Sequence, residues 1–85
     1  MLAIDYNEFL SELNSGREIE ILFRGEWYFF SSRRKKKALN YIFYAMNQPI
    51  ESECAYSELQ ELCNIEIQGC ALKKVLAQLQ DYIIY

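Results

Sequence analysis

A chain of 85 residues that is 52% hydrophobic and 15% aromatic makes one globular domain, residues 1–85, and excludes a disordered polymer. Its net charge of −3 conceals a segregation: five of the nine Lys and Arg run consecutively from Arg33 to Lys37, and the other four stand against 12 acids, −8 over the rest. Such an acidic body excludes general attraction to nucleic acid, while one basic spot holds a phosphate or an acidic partner locally.

The first predicted element is a helix over residues 6–14. Asp5 is placed to cap it with Glu8 three residues on, Ile4 and Phe9 to staple it, and Tyr6, Phe9, Leu10 and Leu13 to form its apolar stripe. Gly16 supplies a left-handed stop. Residues 18–31 read as a β-hairpin, because Ile19, Ile21 and Phe23 alternate with Glu18, Glu20 and Leu22, and the second strand is nearly all aromatic. A two-residue Arg24-Gly25 turn sets Tyr28 and Phe30 beside Ile19, Ile21 and Phe23; a three-residue turn sets Trp27 and Phe29 there, and the shorter turn is the commoner device. The other face then keeps Leu22 and two aromatics among glutamates, to be covered by the first helix or offered to a partner.

A helix is predicted over 33–47, capped by Ser31 or Ser32, with Leu39, Ile42, Phe43 and Met46 as its stripe and Pro49 ending it. A short helix over 57–63 follows, with Ser57 and Gln60 as a capping box and Leu59 and Leu62 inward. The last helix, 68–80, carries Leu72, Val75, Leu76 and Leu79 at helical spacing. "DYIIY" closes the chain as a strand over 82–85.

The sequence has three cysteines, Cys54, Cys63 and Cys70, at spacings of nine and seven, and no histidine. That matches no zinc pattern, so no metal is expected, and an odd count of free, buried, inert thiols suits a reducing cytoplasm. No stretch is apolar for long enough to span a membrane, and "MLAIDYNEFL" is not a secretory segment. There is no GxSxG and no Walker loop, and the thiols lack a partner base, so no catalytic residue, cofactor or enzymatic activity is expected.

Residues 38–85, an apolar helix, "PIES", the serine-capped "YSELQELCNI", a tight turn, "CALKKVLAQLQ" and "YIIY", resemble the helix-turn-helix core of winged-helix domains. Added to the N-terminal helix and the β-hairpin, the resemblance implies an α+β fold in which a tri-helical winged-helix-like unit follows and ends in a short strand. It also implies a recognition helix opening near "EIQGC", where Gln68 reads an adenine, Glu66 repels phosphates, and Lys73 and Lys74 touch backbone.

Arg33, Arg34, Lys35, Lys36 and Lys37 stand, on this reading, at a helix N-terminus, where the macrodipole disfavours cations. The run is then either a solvated cap held against Glu18, Glu20, Glu51 or Glu53, or an anion site. Two functions compete. One is a small non-enzymatic protein-binding module, an inhibitor, antitoxin-like or adaptor protein of bacterial or phage origin, using Trp27, Phe29 and Leu22 as anchors and Glu18 and Glu20 as acidic contacts. The alternative is a winged-helix-like transcriptional regulator that binds nucleic acid through Arg33–Lys37, Lys73 and Lys74. Another protein is the favoured partner, nucleic acid the alternative, and an exposed sheet edge equally serves a homodimer.

Overall fold

The computed structural model describes residues 2–35, 38–48, 54–56 and 59–85. The first helix, α1 (Tyr6–Asn14), forms where its signals place it. The Asp5 side chain accepts the Glu8 N–H at 3.1 Å, and Ile4 and Phe9 are both buried. At its other end the Gly16 N–H donates to the Leu13 carbonyl and the Arg17 N–H to the Glu12 carbonyl, both at 3.2 Å, which is a Schellman stop.

The chain then enters β1 (Ile19–Phe23) and β2 (Glu26–Lys35). Arg24 and Gly25 both take positive φ, 48° and 83°, the two-residue turn whose twist matches antiparallel strands. Ile19 pairs with Phe30, Ile21 with Tyr28 and Phe23 with Glu26, the register expected of the shorter turn.

The predicted helix over 33–47 does not form. Its residues complete β2 and make β3 (Ala38–Ala45), paired antiparallel from Tyr28–Ala45 to Lys35–Ala38. The apolar stripe of Leu39, Ile42, Phe43 and Met46 fits helical spacing, but Tyr41, Ile42, Phe43 and Tyr44 are β-branched or aromatic and fit a pleated strand better. A strand also spreads successive cations to alternate faces, whereas a helix crowds them at its positive end. β4 (Cys54–Tyr56) pairs with β3, and β7 (Asp81–Ile84) with the free edge of β1, giving a five-stranded antiparallel sheet ordered β4-β3-β2-β1-β7.

The expected tri-helical winged-helix-like unit is therefore replaced, among the described residues, by a sheet with three short helices. α2 (Leu59–Cys63) is there, though Ser57, its expected cap, lies outside the described residues. The helix predicted over 68–80 shrinks to α3 (Leu72–Leu76). Ahead of it, β5 (Glu66–Ile67) and β6 (Cys70–Ala71) form a small ribbon, turned by Gln68 and Gly69 at φ 52° and 79°. Leu72, Val75, Leu76 and Leu79 are buried as the periodicity expects.

All three helices contribute to one core on one face of the sheet, where Phe9, Leu13, Leu62, Leu72, Val75 and Leu76 meet Ile19, Ile21, Phe23, Tyr28, Phe30 and Tyr41. Phe9 and Phe30 pack edge-on with ring centroids 5.1 Å apart. α1 is tied down further by the Ser32 hydroxyl, which donates to the Leu13 carbonyl at 2.8 Å, and by the Tyr41 hydroxyl, which donates to Asn14 Oδ1. The first helix thus covers the face of Tyr28 and Phe30, and not, as one reading expected, that of Leu22, Trp27 and Phe29.

Candidate interaction face

Strand alternation and the observed register define the second face of the sheet. One row runs Trp27, Leu22, Asp81 across β2, β1 and β7. Met46 stands beside it, its N–H donating to the Trp27 carbonyl at 2.9 Å. The next row is Tyr44, Phe29, Glu20, Ile83. A third is Ile42, Ser31, Glu18, Tyr85, the last two joined by the Tyr85 N–H on the Glu18 carbonyl at 2.8 Å. Beyond it β2 and β3 continue as a two-stranded ribbon, with Asn40 opposite Arg33 and Ala38 opposite Lys35.

No described helix packs on this face. Leu22, Trp27, Phe29 and Tyr44 are half-buried and belong to no part of the core, while Ile42 and Ser31 are buried. Of the four large apolar residues exposed among the described residues, three, Met46, Ile83 and Tyr85, lie on or beside it. Phe29 and Tyr44 hold each other at 5.0 Å between ring centroids. The acids are part of the surface chemistry: the Glu20 carboxylate, as hydrogen-bond acceptor, raises the Tyr85 phenol above its ordinary pKa, with desolvation and the charges of Glu20 and Glu18 adding.

The five partner anchors and acidic contacts named from sequence, Trp27, Phe29, Leu22, Glu18 and Glu20, come together here. Tyr44, Ile83, Tyr85 and Asp81 were missed. The alternation in "YIFYA" and "DYIIY" is their signal, but it speaks only once both segments are read as strands of this sheet.

The basic residues named from sequence do not converge among the described residues. Arg33 shares the outer face with Trp27, Arg34 points to the other side, and both are exposed. The Lys35 side chain, Lys36 and Lys37 lie outside the described residues. Lys73 and Lys74 are on α3, across the sheet from Arg33, with Lys73 Nζ 5.8 Å from the centre of the Tyr6 ring. Among the described residues no carboxylate pairs with Arg33 or Arg34, and the ion pair present joins Arg17 to Glu12 at 3.1 Å. The solvated-cap reading named Glu18 and Glu20 as neutralisers, and neither pairs with Arg33 or Arg34; Glu51 and Glu53 lie outside the described residues.

Gln68 is not available to read a base either. It sits in the β5–β6 turn, not at a helix start, and its side-chain amide donates to the Phe23 carbonyl at 3.2 Å and to the Tyr28 hydroxyl at 3.0 Å. Tyr28 in turn donates to Glu26 Oε2 at 2.9 Å, and burial, then the Glu26 contact, raises its phenol against the lowering effect of Gln68.

A cleft of about 390 Å³ beside the hairpin turn is lined by Phe23, Arg24, Gln78, Leu79 and Gln80, without a carboxylate or thiol. Gln80 Oε1 spans it to accept the Gly25 N–H at 2.6 Å. Cys63 and Cys70 are free and half-buried, not fully buried as expected of inert thiols, and the Cys54 side chain lies outside the described residues. Among the described residues no helix is long and apolar enough to cross a membrane. Comparison of the chain with protein-family models, curated proteins and solved structures finds no match.

Proposed function

We propose that this chain is a small non-enzymatic protein-binding module, of the inhibitor, antitoxin or adaptor kind, that docks through the outer face of its sheet. One observation carries the reading: Trp27, Phe29 and Tyr44 stand side by side on the two central strands with no described helix over them. A domain this small gains stability by covering apolar surface, so a contiguous aromatic face that no described helix covers supports a contact surface. Trp27 and Phe29 serve as anchors with Leu22 between them and the acids, and Glu18 and Glu20 meet a partner's donors. The separation of Arg33 from Lys73 and Lys74 and the engagement of Gln68 weigh against a base-reading surface.

The test uses immobilised wild-type chain against Trp27→Ser and Phe29→Ser, with far-UV circular dichroism to check the fold. A protein captured by the wild type, lost in both variants and retained by Lys73→Gln/Lys74→Gln is the expected result. Capture indifferent to Trp27 and Phe29 would sink the reading. Trp27 is the sole tryptophan, so its emission shifts to the blue as the partner covers it.

One observation favours a second reading. Residues 27–50 contain no carboxylate, so no acid within that segment of the sequence offsets the five cations of the run. A phosphate contact by that run would show as binding to random-sequence nucleic acid that falls steeply with salt and vanishes when Arg33 to Lys37 are neutralised.

A further inference from the structure

The acids of the outer face stand in one file beside its aromatic residues. Glu20 of β1 is directly opposite Phe29 of β2, Glu18 is two residues further along the same lane, and Asp81 of β7 is opposite Leu22. Among the described residues none of the three acids forms an ion pair. Ile83 and Tyr85, their neighbours on the outermost strand, are 41% and 58% exposed, so this flank of the face is open. Arg33 shares the face but lies four residues past Phe29, about 13 Å along β2 and beyond the end of β1.

β1 and β2 each have a strand on both sides, so their backbone groups are engaged in the sheet and a partner meets side chains alone. A segment lying there has to satisfy its own backbone polar groups, because an unpaired one over an apolar surface costs free energy. A helix does so internally.

We propose that the occupant of this face is an amphipathic helix of another protein, laid along β2 over Trp27 and Phe29, with Lys or Arg on the flank that faces Glu18 and Glu20. The inference rests on the docking reading above and names the chemistry of its partner. Charge complementarity chooses the sign: three carboxylates without an ion-pair partner border the aromatic track, and an acidic helix or a nucleic-acid strand sets like charge against them. The spacing fits. Glu18 and Glu20 are about 7 Å apart along the strand, and cations at i and i+4 of a helix are about 6 Å apart along its axis, so two successive turns meet two successive acids. The width fits as well, since β3, β2 and β1 together span about 10 Å and a helix is about as broad. The apolar stripe then covers Trp27 and Phe29, the mode in which amphipathic helices occupy apolar tracks.

Fluorescence anisotropy with labelled synthetic peptides tests this. The probe is a blocked peptide of about 18 residues, with Leu on one face and Lys on its flanks. One control replaces Lys by Glu, and a second keeps the charge but carries two central Pro that break the helix. The expected result is a Kd on the order of 10–100 µM for the Lys helix, weakening with salt and accompanied by a blue shift of Trp27 emission, with both controls at least about tenfold weaker. Trp27→Ser weakens binding by about thirtyfold or more, and Glu20→Lys, which leaves the aromatic track intact, by about three- to tenfold. Glu66→Lys, beside the helices on the core side, leaves it within about twofold. Far-UV circular dichroism checks the fold of each variant. Equal affinity for the Glu peptide or the Pro peptide overturns the proposal, as does indifference to both Trp27 and Glu20, or no binding of the Lys helix at about 500 µM. A chain that binds no peptide yet captures a protein through Trp27 and Phe29 overturns the basic helix and leaves the docking reading standing. A wild type that self-associates through Trp27 with no peptide present names a second copy as the occupant and overturns the proposal.

Discussion

Phe9 of the first helix meets Phe30 of the second strand edge-on, ring centroids 5.1 Å apart and planes at 88°. This contact lies on the side of the sheet that the described helices cover, and Phe29, one residue away, is left on the other. The two neighbours therefore differ in cost. Phe30→Ala opens a cavity in a fully buried site and is expected to lose about 3–5 kcal/mol. Phe29→Ala loses its half-buried cross-strand contact with Tyr44, about 1 kcal/mol. Urea denaturation of the two variants checks the assignment of faces, and equal losses would contradict it.

The two left-handed turn residues make a second pair of contrasts. Arg24→Asn relieves a positive φ that costs a side-chain residue about 1 kcal/mol and gives up an exposed cation–π contact with Phe23 worth about half that. A small net gain of about 0.5 kcal/mol is expected. Gln68→Asn makes the same relief but shortens the amide, so its bonds to the Phe23 carbonyl and the Tyr28 hydroxyl are lost. The net is a loss of about 1 kcal/mol. Thermal melts of opposite sign would show that Gln68 is kept for its tertiary tether.

Burial, and then contact with the Cys63 thiol, pushes the Tyr6 phenol up from 10.0 to about 12. A folded-state pKa above the unfolded one means the stabilising contribution is complete below about pH 10, the unfolded value, and is lost as pH rises through about 12. Stability is expected to fall with pH across that window, and less steeply in Tyr6→Phe. Absorbance at the tyrosinate band, titrated for both proteins, shows whether the late-ionising phenol is the one removed.

Replacing the exposed Arg33 by Gln is expected to leave Tm within about 4 °C of wild type, since an exposed substitution typically changes stability by no more than about 0.5 kcal/mol. A clear rise, the outcome expected had the run opened a helix, has no cause here because the run ends a strand. Differential scanning calorimetry at low salt measures it, and a fall of several degrees would mean the run is a structural element of the ribbon.

Signals complete within a few residues were legible in the sequence. The Asp5 cap on the Glu8 N–H, the stop at Gly16 and the two-residue turn at Arg24 and Gly25 each appear where expected, because each depends only on its neighbours. The hairpin register followed from that turn, and with it the grouping of Leu22, Trp27, Phe29, Glu18 and Glu20 on one face. Residues 33–47 were not legible, since their apolar positions satisfy a helical stripe and a two-faced strand alike. The unpaired edge of β2, with its aromatic residues ready to pair, tips the choice, and that edge lies outside the segment itself. The same holds for the C-terminal strand, whose pairing with β1 places Ile83 and Tyr85 on the open face. Which face the helices cover was a matter for the whole chain: Phe9, Leu13, Leu62, Leu72 and Val75 bury most area against Phe30 and its neighbours, and hydrophobic burial carries no direction that a local sequence pattern records.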